Sequence, residues 1–482
     1  MRGSGRMHLI LIPGFVGFDV LGQIGYYAGV TEHFAEWQVS RAQRGHAALH
    51  YFDSFPTASI GLRAERLRVF LAKLLARGQV AADDRVALVG HSTGGLDIRR
   101  TLTVLAADPN GATAVDGGVA VPHAALLRCI EHLVFISVPH FGTNLAEFAY
   151  RYRATIQATI RNAAIGVLLN RKPIDAVRRA AVELFPNTDS DLLLAIRDAL
   201  DESDEREGRR APGAQGEWLR ASEREARAQL ALWLEHMGKD FHALEDLRCP
   251  APDGTPISPA QHGPRERDAE LEAFRGLKLL SYATIVREPA LPKWTVSAIR
   301  AVAPAVNVPC AALNFVAHHW LWQPAAAASI ATRIGLQLPA LSGGLASIHG
   351  RPSLPFRVLH TLCADPRGPF TRPSQLAAEI TDLTTGARLP TAALSEADND
   401  GIVNTLSMLW PAETDAAHRI NLVEADHGDI VGHYARKQCR AEARELARGR
   451  LHYAYDIFES GSGFDDARFG QVWEHIFDFC LS

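Results

Sequence analysis

Arg85-Val86-Ala87-Leu88-Val89-Gly90-His91-Ser92-Thr93-Gly94-Gly95 runs from a short apolar strand into a sharp turn. Residues Arg85 to Val89 have the composition of a buried strand, and Leu96 to Ala106 continue at helical spacing. Between them stands Gly90-His91-Ser92-Thr93-Gly94, a G-x-S-x-G. A serine on such a turn takes strained backbone angles, and its hydroxyl projects clear of the sheet. Side chains two residues to either side would collide there, which explains the two glycines. The N-terminus of the following helix favours negative charge that develops near Ser92 during attack. By itself the pentapeptide also fits a Gly-rich βα turn without chemistry; the strand before it and the helix after it favour a nucleophile.

Working outward, His8–Ile12 is a second apolar run, closed by Pro13-Gly14. Leu67, Phe70, Leu71, Leu74 and Leu75 mark an amphipathic helix over Glu65 to Leu75. Leu133–Val138 is a third strand, ended by Pro139. Fully apolar strands alternating with helices imply a mostly parallel sheet covered on both faces. With the serine turn, this predicts an α/β-hydrolase fold: a mostly parallel central sheet flanked by helices. After Phe148 the pattern changes. Residues 149–274 are rich in Ala, Arg, Glu and Leu, and read as a large helical cap or lid insertion. Strand character returns over Leu277–Thr284 and Ile420–Val423, with an irregular insertion over about 288–385. The expected division is a core of 1–148 and 275–482 carrying a cap of 149–274.

Composition narrows the function. The chain has 482 residues, 47% hydrophobic and 22% charged, with a net charge of −4, which gives no basis for binding nucleic acid. Apolar runs are too short for a transmembrane segment. No secretory signal is recognisable, so the expected location is cytoplasmic, and the six scattered cysteines are expected to be reduced thiols.

A serine hydroxyl needs a histidine to accept its proton and a carboxylate to orient that histidine. In this fold the order along the chain is Ser, acid, His. Asn399-Asp400-Gly401 is a turn with an aspartate, and Asp426-His427-Gly428-Asp429 directly follows the last strand. Asp400 and His427 are therefore the candidates; Asp398 and His433 are their rivals, while His418 precedes the strand and lies at its wrong end. Two backbone N–H groups should hold the oxyanion, one from Thr93 after the nucleophile and one from Phe15 after the first strand. On local sequence alone, Phe15 fits plain core equally well.

Pro13-Gly14-Phe15-Val16-Gly17-Phe18-Asp19, with Tyr26-Tyr27-Ala28-Gly29-Val30, resembles the oxyanion segment of the bacterial true lipases of family I, in the Pseudomonas and Burkholderia branch, where histidine usually stands in place of Pro13. Gly90–Gly95 matches their serine turn, and Ser137-Val138-Pro139-His140-Phe141-Gly142-Thr143 their next strand end. Asp398–Thr405 and Asp426–Gly432 are closer to the Bacillus and Staphylococcus branch. The resemblance covers roughly 8–150 and 390–435, and implies Ser92 as nucleophile, Asp400 as acid, His427 as base and Phe15 with Thr93 as oxyanion hole.

It also implies calcium near the histidine loop, with Asp429 as a ligand; the next ligand position holds His433, a poor donor for a hard cation. Asp429 fits equally as a brace of that loop, and no other cofactor is required. Bacillus-type lipases also carry zinc, but His46 and His50 lack the matching Asp/His pattern and read as ordinary polar residues. Ala163–Leu169 and Ala228–Leu234 fit an apolar lid face or packed cap helices, and Leu313 to Ile334 fit an acyl pocket or core. The implied activity is hydrolysis of a small-molecule or lipid ester through an acyl-enzyme by a triacylglycerol lipase or lipase-like carboxylesterase, with transient contact at a lipid interface. A polyester depolymerase, a phospholipase, an acyltransferase with the same triad and a hydrolase-like binding protein remain alternatives.

Overall fold

The computed structural model describes residues 5–40, 47–154, 236–250, 273–287, 354–410, 418–434 and 460–482, apart from 16, 18, 19, 22, 23, 152, 238, 374 and 375, together with 270, 352, 456 and 458. Eight strands among them form one sheet: β1 (Met7–Ile12), β2 (Ala47–Tyr51), β3 (Arg85–His91), β4 (Ile130–Ile136), β5 (Lys278–Ile285), β6 (Glu379–Asp382), β7 (Arg388–Pro390) and β8 (Arg419–Glu424). Their order is β7-β6-β8-β5-β4-β3-β1-β2. Every neighbouring pair is parallel except β6 with β7.

Successive side chains on a strand point to opposite faces. On β1, Met7, Leu9 and Leu11 join one apolar cluster while Ile10 and Ile12 join another, and all five are buried. Both faces must therefore be covered, and helices do this. The described helices are α1 (Val30–Ser40), α2 (Ile60–Ala76), α3 (Thr93–Ala107), α4 (His123–Cys129), α5 (Asn144–Arg151), α6 (Ala243–Asp246), α7 (Leu354–Cys363) and α8 (Asp466–Leu481). Phe34 and Trp37 of α1 with Trp473 and Phe477 of α8 cover the Met7 face. Leu67 and Leu71 of α2, Ile98 and Leu102 of α3 and Leu126 of α4 cover the Ile10 face. A nearly all-parallel sheet with helices on both faces and a serine turn after β3 is the α/β-hydrolase fold.

Two helices start earlier than their apolar spacing predicts. α2 begins at Ile60 because Ser59 caps it, its Oγ accepting from Leu62 N at 3.3 Å, and because Asp246 Oδ2 accepts from Ile60 N at 2.7 Å. α3 begins at Thr93, directly after the serine. The third strand spans Ile130–Ile136 instead of Leu133–Val138, because Ser137 leaves the extended region with φ 51°.

Most of the stretch expected to form a cap, including 155–235, lies outside the described residues, as do Ala163–Leu169, Ala228–Leu234, Leu313 to Ile334 and His46. The chain enters that segment through α5 and returns through α6, and the two ends meet: Arg248 Nε donates to Glu147 Oε2 at 2.7 Å. Within the stretch expected to be irregular, β6 adds to the central sheet and α7 precedes it. Cys129, Cys249, Cys363 and Cys480 are buried free thiols; Cys310 and Cys439 lie outside the described residues. Among the described residues no helix is long and apolar enough to cross a membrane.

Candidate active site

Ser92 joins β3 to α3 with φ 53° and ψ −128°, one of two non-glycine residues at positive φ among those described. Such a conformation costs about 1–3 kcal/mol and persists only where its surroundings enforce it. Here Ser92 N donates to Ile136 O at 2.8 Å and Gly95 N to Ser92 O at 3.0 Å. The glycines give the close approach the turn needs. A Cβ on Gly94 would meet the Ile12 carbonyl of β1, and one on Gly14 would lie 2.6 Å from Ser92 Cβ. The Pro13-Gly14-Phe15 loop is thus packed directly against the serine.

Asp400 lies in the loop between β7 and β8 and is fully buried. Its carboxylate accepts four hydrogen bonds. Oδ1 takes Ile402 N at 3.0 Å and Val403 N at 2.8 Å; Oδ2 takes Thr284 Oγ1 at 2.7 Å and faces His427 Nδ1 at 2.7 Å. An ionised carboxylate only accepts, so Thr284 donates to it, and Ser137 Oγ must donate to Thr284 Oγ1 across 2.8 Å. These two hydroxyls, on the ends of neighbouring strands, were invisible as site residues in the sequence.

His427 follows β8 in a loop that Asp426 and Asp429 brace reciprocally. Asp426 Oδ1 accepts from Gly428 N at 2.8 Å and from Asp429 N at 3.0 Å, while Asp429 Oδ2 accepts from Asp426 N at 2.8 Å. With Nδ1 toward Asp400, the imidazole turns Nε2 away from that carboxylate. The His427 ring lies 4.7 Å from that of His91, the residue before Ser92. The structure thus brings Ser92, after β3, and His427, after β8, into one neighbourhood with Asp400, whose loop reaches Thr284 near the end of β5.

Their rivals are engaged elsewhere. Asp398 Oδ2 accepts from Ser395 N at 2.8 Å, as a turn cap. His433 Nε2 lies 3.0 Å from the Tyr26 carbonyl, and His418 Nε2 lies 3.1 Å from Ser281 Oγ. His50 Nε2 lies 2.9 Å from His8 Nδ1, on the edge strand β2. Phe15 packs edge-to-face on Phe241 at 5.6 Å, and Thr93 opens α3, where a helix leaves its first N–H groups without intrahelical partners.

Asp429 has company the sequence did not reveal. Asp426, Asp429 and Asp456 are buried, with one oxygen each within 4.8 Å of one another. Burial, with repulsion between neighbouring carboxylates, pushes the Asp426 and Asp429 carboxyls upward. Three hard oxygen donors crowded out of water suit a hard cation such as calcium. Asp456 is the third carboxylate of this group; the family I resemblance puts His433, a poor hard-cation donor, at the next ligand position.

No family model matches the chain, and no curated protein matches it. Solved structures do. Lipase BlEst2 of Bacillus licheniformis, in mature form, is 19% identical with a TM-score of 0.20; the match covers 30% of this chain and 44% of that one. This chain therefore spans less than half of that lipase. Lipase 1 of Pelosinus fermentans is 14% identical over 95% of this chain and 97% of that one, with a TM-score of 0.34. The Staphylococcus hyicus lipase is 10% identical over 99% and 94%, with a TM-score of 0.37. The fold rests on the sheet order and the serine turn; the solved structures to which this chain is similar include lipases, a carboxyl esterase and a phospholipase.

Proposed function

We propose that this protein is a serine hydrolase that cleaves carboxylic esters through an acyl-enzyme, as a triacylglycerol lipase or lipase-like carboxylesterase of the family I type. The observation that carries the reading is the 2.7 Å contact from His427 Nδ1 to Asp400 Oδ2 beside the strained Ser92 turn. Ser92 Oγ attacks the ester carbonyl while His427 Nε2 takes its proton. Asp400 holds the imidazole tautomer and stabilises the imidazolium. The N–H groups of Phe15 and Thr93 receive the oxyanion, the helix N-terminus adding favourable potential. His427 then returns the proton to the leaving alcohol, and water repeats the sequence to release the acid.

The acyl group fills an apolar pocket in this reading. Each buried CH₂ contributes about 0.8 kcal/mol. On p-nitrophenyl esters, kcat/KM is expected to rise with acyl length from acetate until the pocket is full. A steep fall beyond acetate would remove the lipase assignment and leave a short-chain esterase.

Asp426, Asp429 and Asp456 are the residues that would hold calcium, which would offset their mutual repulsion and stiffen the loop carrying His427. Chelation by EGTA is expected to lower Tm by a few degrees, and added calcium to restore it. The effect should shrink toward acid pH, as the carboxylates take up protons, and vanish in Asp456→Asn. A melting curve indifferent to EGTA and calcium at neutral pH rejects the site.

A further inference from the structure

The oxyanion donor Phe15 is one link away from a peptide unit held at both ends. That unit joins Pro13 to Gly14. Its carbonyl oxygen accepts from Arg63 NH2 at 2.7 Å, and its N–H donates to Tyr26 Oη at 2.8 Å. Arg63 is fully buried and fixed in turn by Asp97 of α3, through Nε at 3.0 Å and NH2 at 2.8 Å. The next peptide unit, which carries the Phe15 N–H, is anchored at its own carbonyl, Gly14 O, by Gly17 N at 3.0 Å.

Tyr26 does more than hold Gly14. Its Oη lies 2.6 Å from His91 Nδ1, and His91 Nε2 lies 3.0 Å from the carbonyl oxygen of His427. One assignment of protons satisfies this chain. Gly14 N–H can only donate, so Tyr26 Oη accepts it and its own proton points to His91 Nδ1. That nitrogen must accept, so the imidazole proton sits on Nε2 and goes to the His427 carbonyl, which can only accept. Burial agrees, raising the Tyr26 phenol and lowering the His91 imidazole well below its usual value, so both stay neutral. Hydrogen bonds thus run without a break from the oxyanion loop, through the residue before the nucleophile, to the backbone of the candidate base.

We infer that Tyr26 and His91 are positioning residues that lock the oxyanion loop to the backbone of His427, so that the Phe15 N–H is aimed before substrate arrives. This rests on the ester-hydrolase reading above. Donors fixed in advance pay no reorganisation at the moment of reaction, and loss of one such donor lowers turnover by about 10²–10³. Displacing a donor forfeits part of that.

Tyr26→Phe removes only the hydroxyl and keeps the ring against Tyr27 and His91, at 5.2 and 5.7 Å between centroids. Its kcat on p-nitrophenyl butyrate is expected to fall by about tenfold or more, with KM within twofold. Labelling of Ser92 by a fluorophosphonate should slow by a similar factor, because the phosphoryl oxygen uses the same donors. His91→Phe breaks the chain from the other side and should reproduce the loss. The double variant should be no slower than the slower single variant, since the two residues act as one unit. Rates are taken per active site titrated by the probe, which separates them from any loss of folded protein. Wild-type kcat and labelling in Tyr26→Phe, a change confined to KM, or additive losses in the double variant overturn the inference while leaving the hydrolase reading intact. A wild-type enzyme that neither hydrolyses the ester nor takes the label overturns both.

Discussion

Replacing Ser92 by alanine is expected to abolish ester hydrolysis, by roughly 10⁴-fold or more, while the protein remains folded. The hydroxyl is the proposed nucleophile, and no neighbour can stand in for it: Thr93 is fully buried as the first residue of α3. Fluorophosphonate labelling should map to Ser92 and disappear in the variant. The backbone adds a second readout. Alanine at φ 53° keeps the strain that serine tolerates, whereas glycine adopts that angle freely. Ser92→Gly should therefore melt above Ser92→Ala, with both inactive. Label on another serine, or turnover surviving in Ser92→Ala, ends the assignment.

Asp400→Asn should lower kcat by about 10⁴ with little change in fold. The amide oxygen of asparagine can still accept from Ile402 N and Val403 N, so the loop keeps its shape. Its NH₂ then replaces Oδ2 and faces two groups that previously donated to it, Thr284 Oγ1 and His427 Nδ1. To avoid two donors in opposition, His427 must accept at Nδ1 and carry its proton on Nε2. In that tautomer the imidazole cannot take a proton from serine. Asp398→Asn touches only the turn cap at Ser395 and should cost less than a few-fold. If the two effects were reversed, the acid would be misplaced by two residues.

What the sequence disclosed was chemistry enforced by local geometry. The Ser92 turn was legible because Gly94 is squeezed against another strand's backbone, a demand that leaves its mark within five residues. β1 was legible because burial on both faces removes polar residues from a strand, apart from His8, which pairs with Asp84 at 3.0 Å and His50 at 2.9 Å. β2 was missed because it is an edge strand whose Leu49, His50 and Tyr51 are only half-buried, so its pattern is mixed. β7 escaped because it is the opposite edge strand, and β6 beside it because its four residues include exposed Glu379 and half-buried Thr381 and Asp382, so neither shows an apolar run. At the site, His427 was legible because its turn directly follows β8, and Asp400 because its Asn-Asp-Gly turn carries a local signature. Thr284, Asp456 and the Tyr26–His91 pair were not, because each acts on a partner brought near by tertiary folding alone.

The strand order also governs how the chain reaches its native state. β1, β2, β3 and β4 come from the first part of the chain and pair among themselves, whereas β4 meets β5 only after the long stretch between Ile136 and Lys278 has been spanned. Closing a loop of that length costs entropy before any contact repays it, and pairings distant in sequence form slowly. The serine turn belongs to the early half; the carboxylate and imidazole belong to the late one. An intermediate stopped at the β4 edge would own a nucleophile without its base, and would present an unpaired parallel strand to its neighbours. If the proposed activity is confirmed, its recovery on refolding should therefore lag behind formation of the β1–β4 half, and crowding during refolding endangers the protein at that edge.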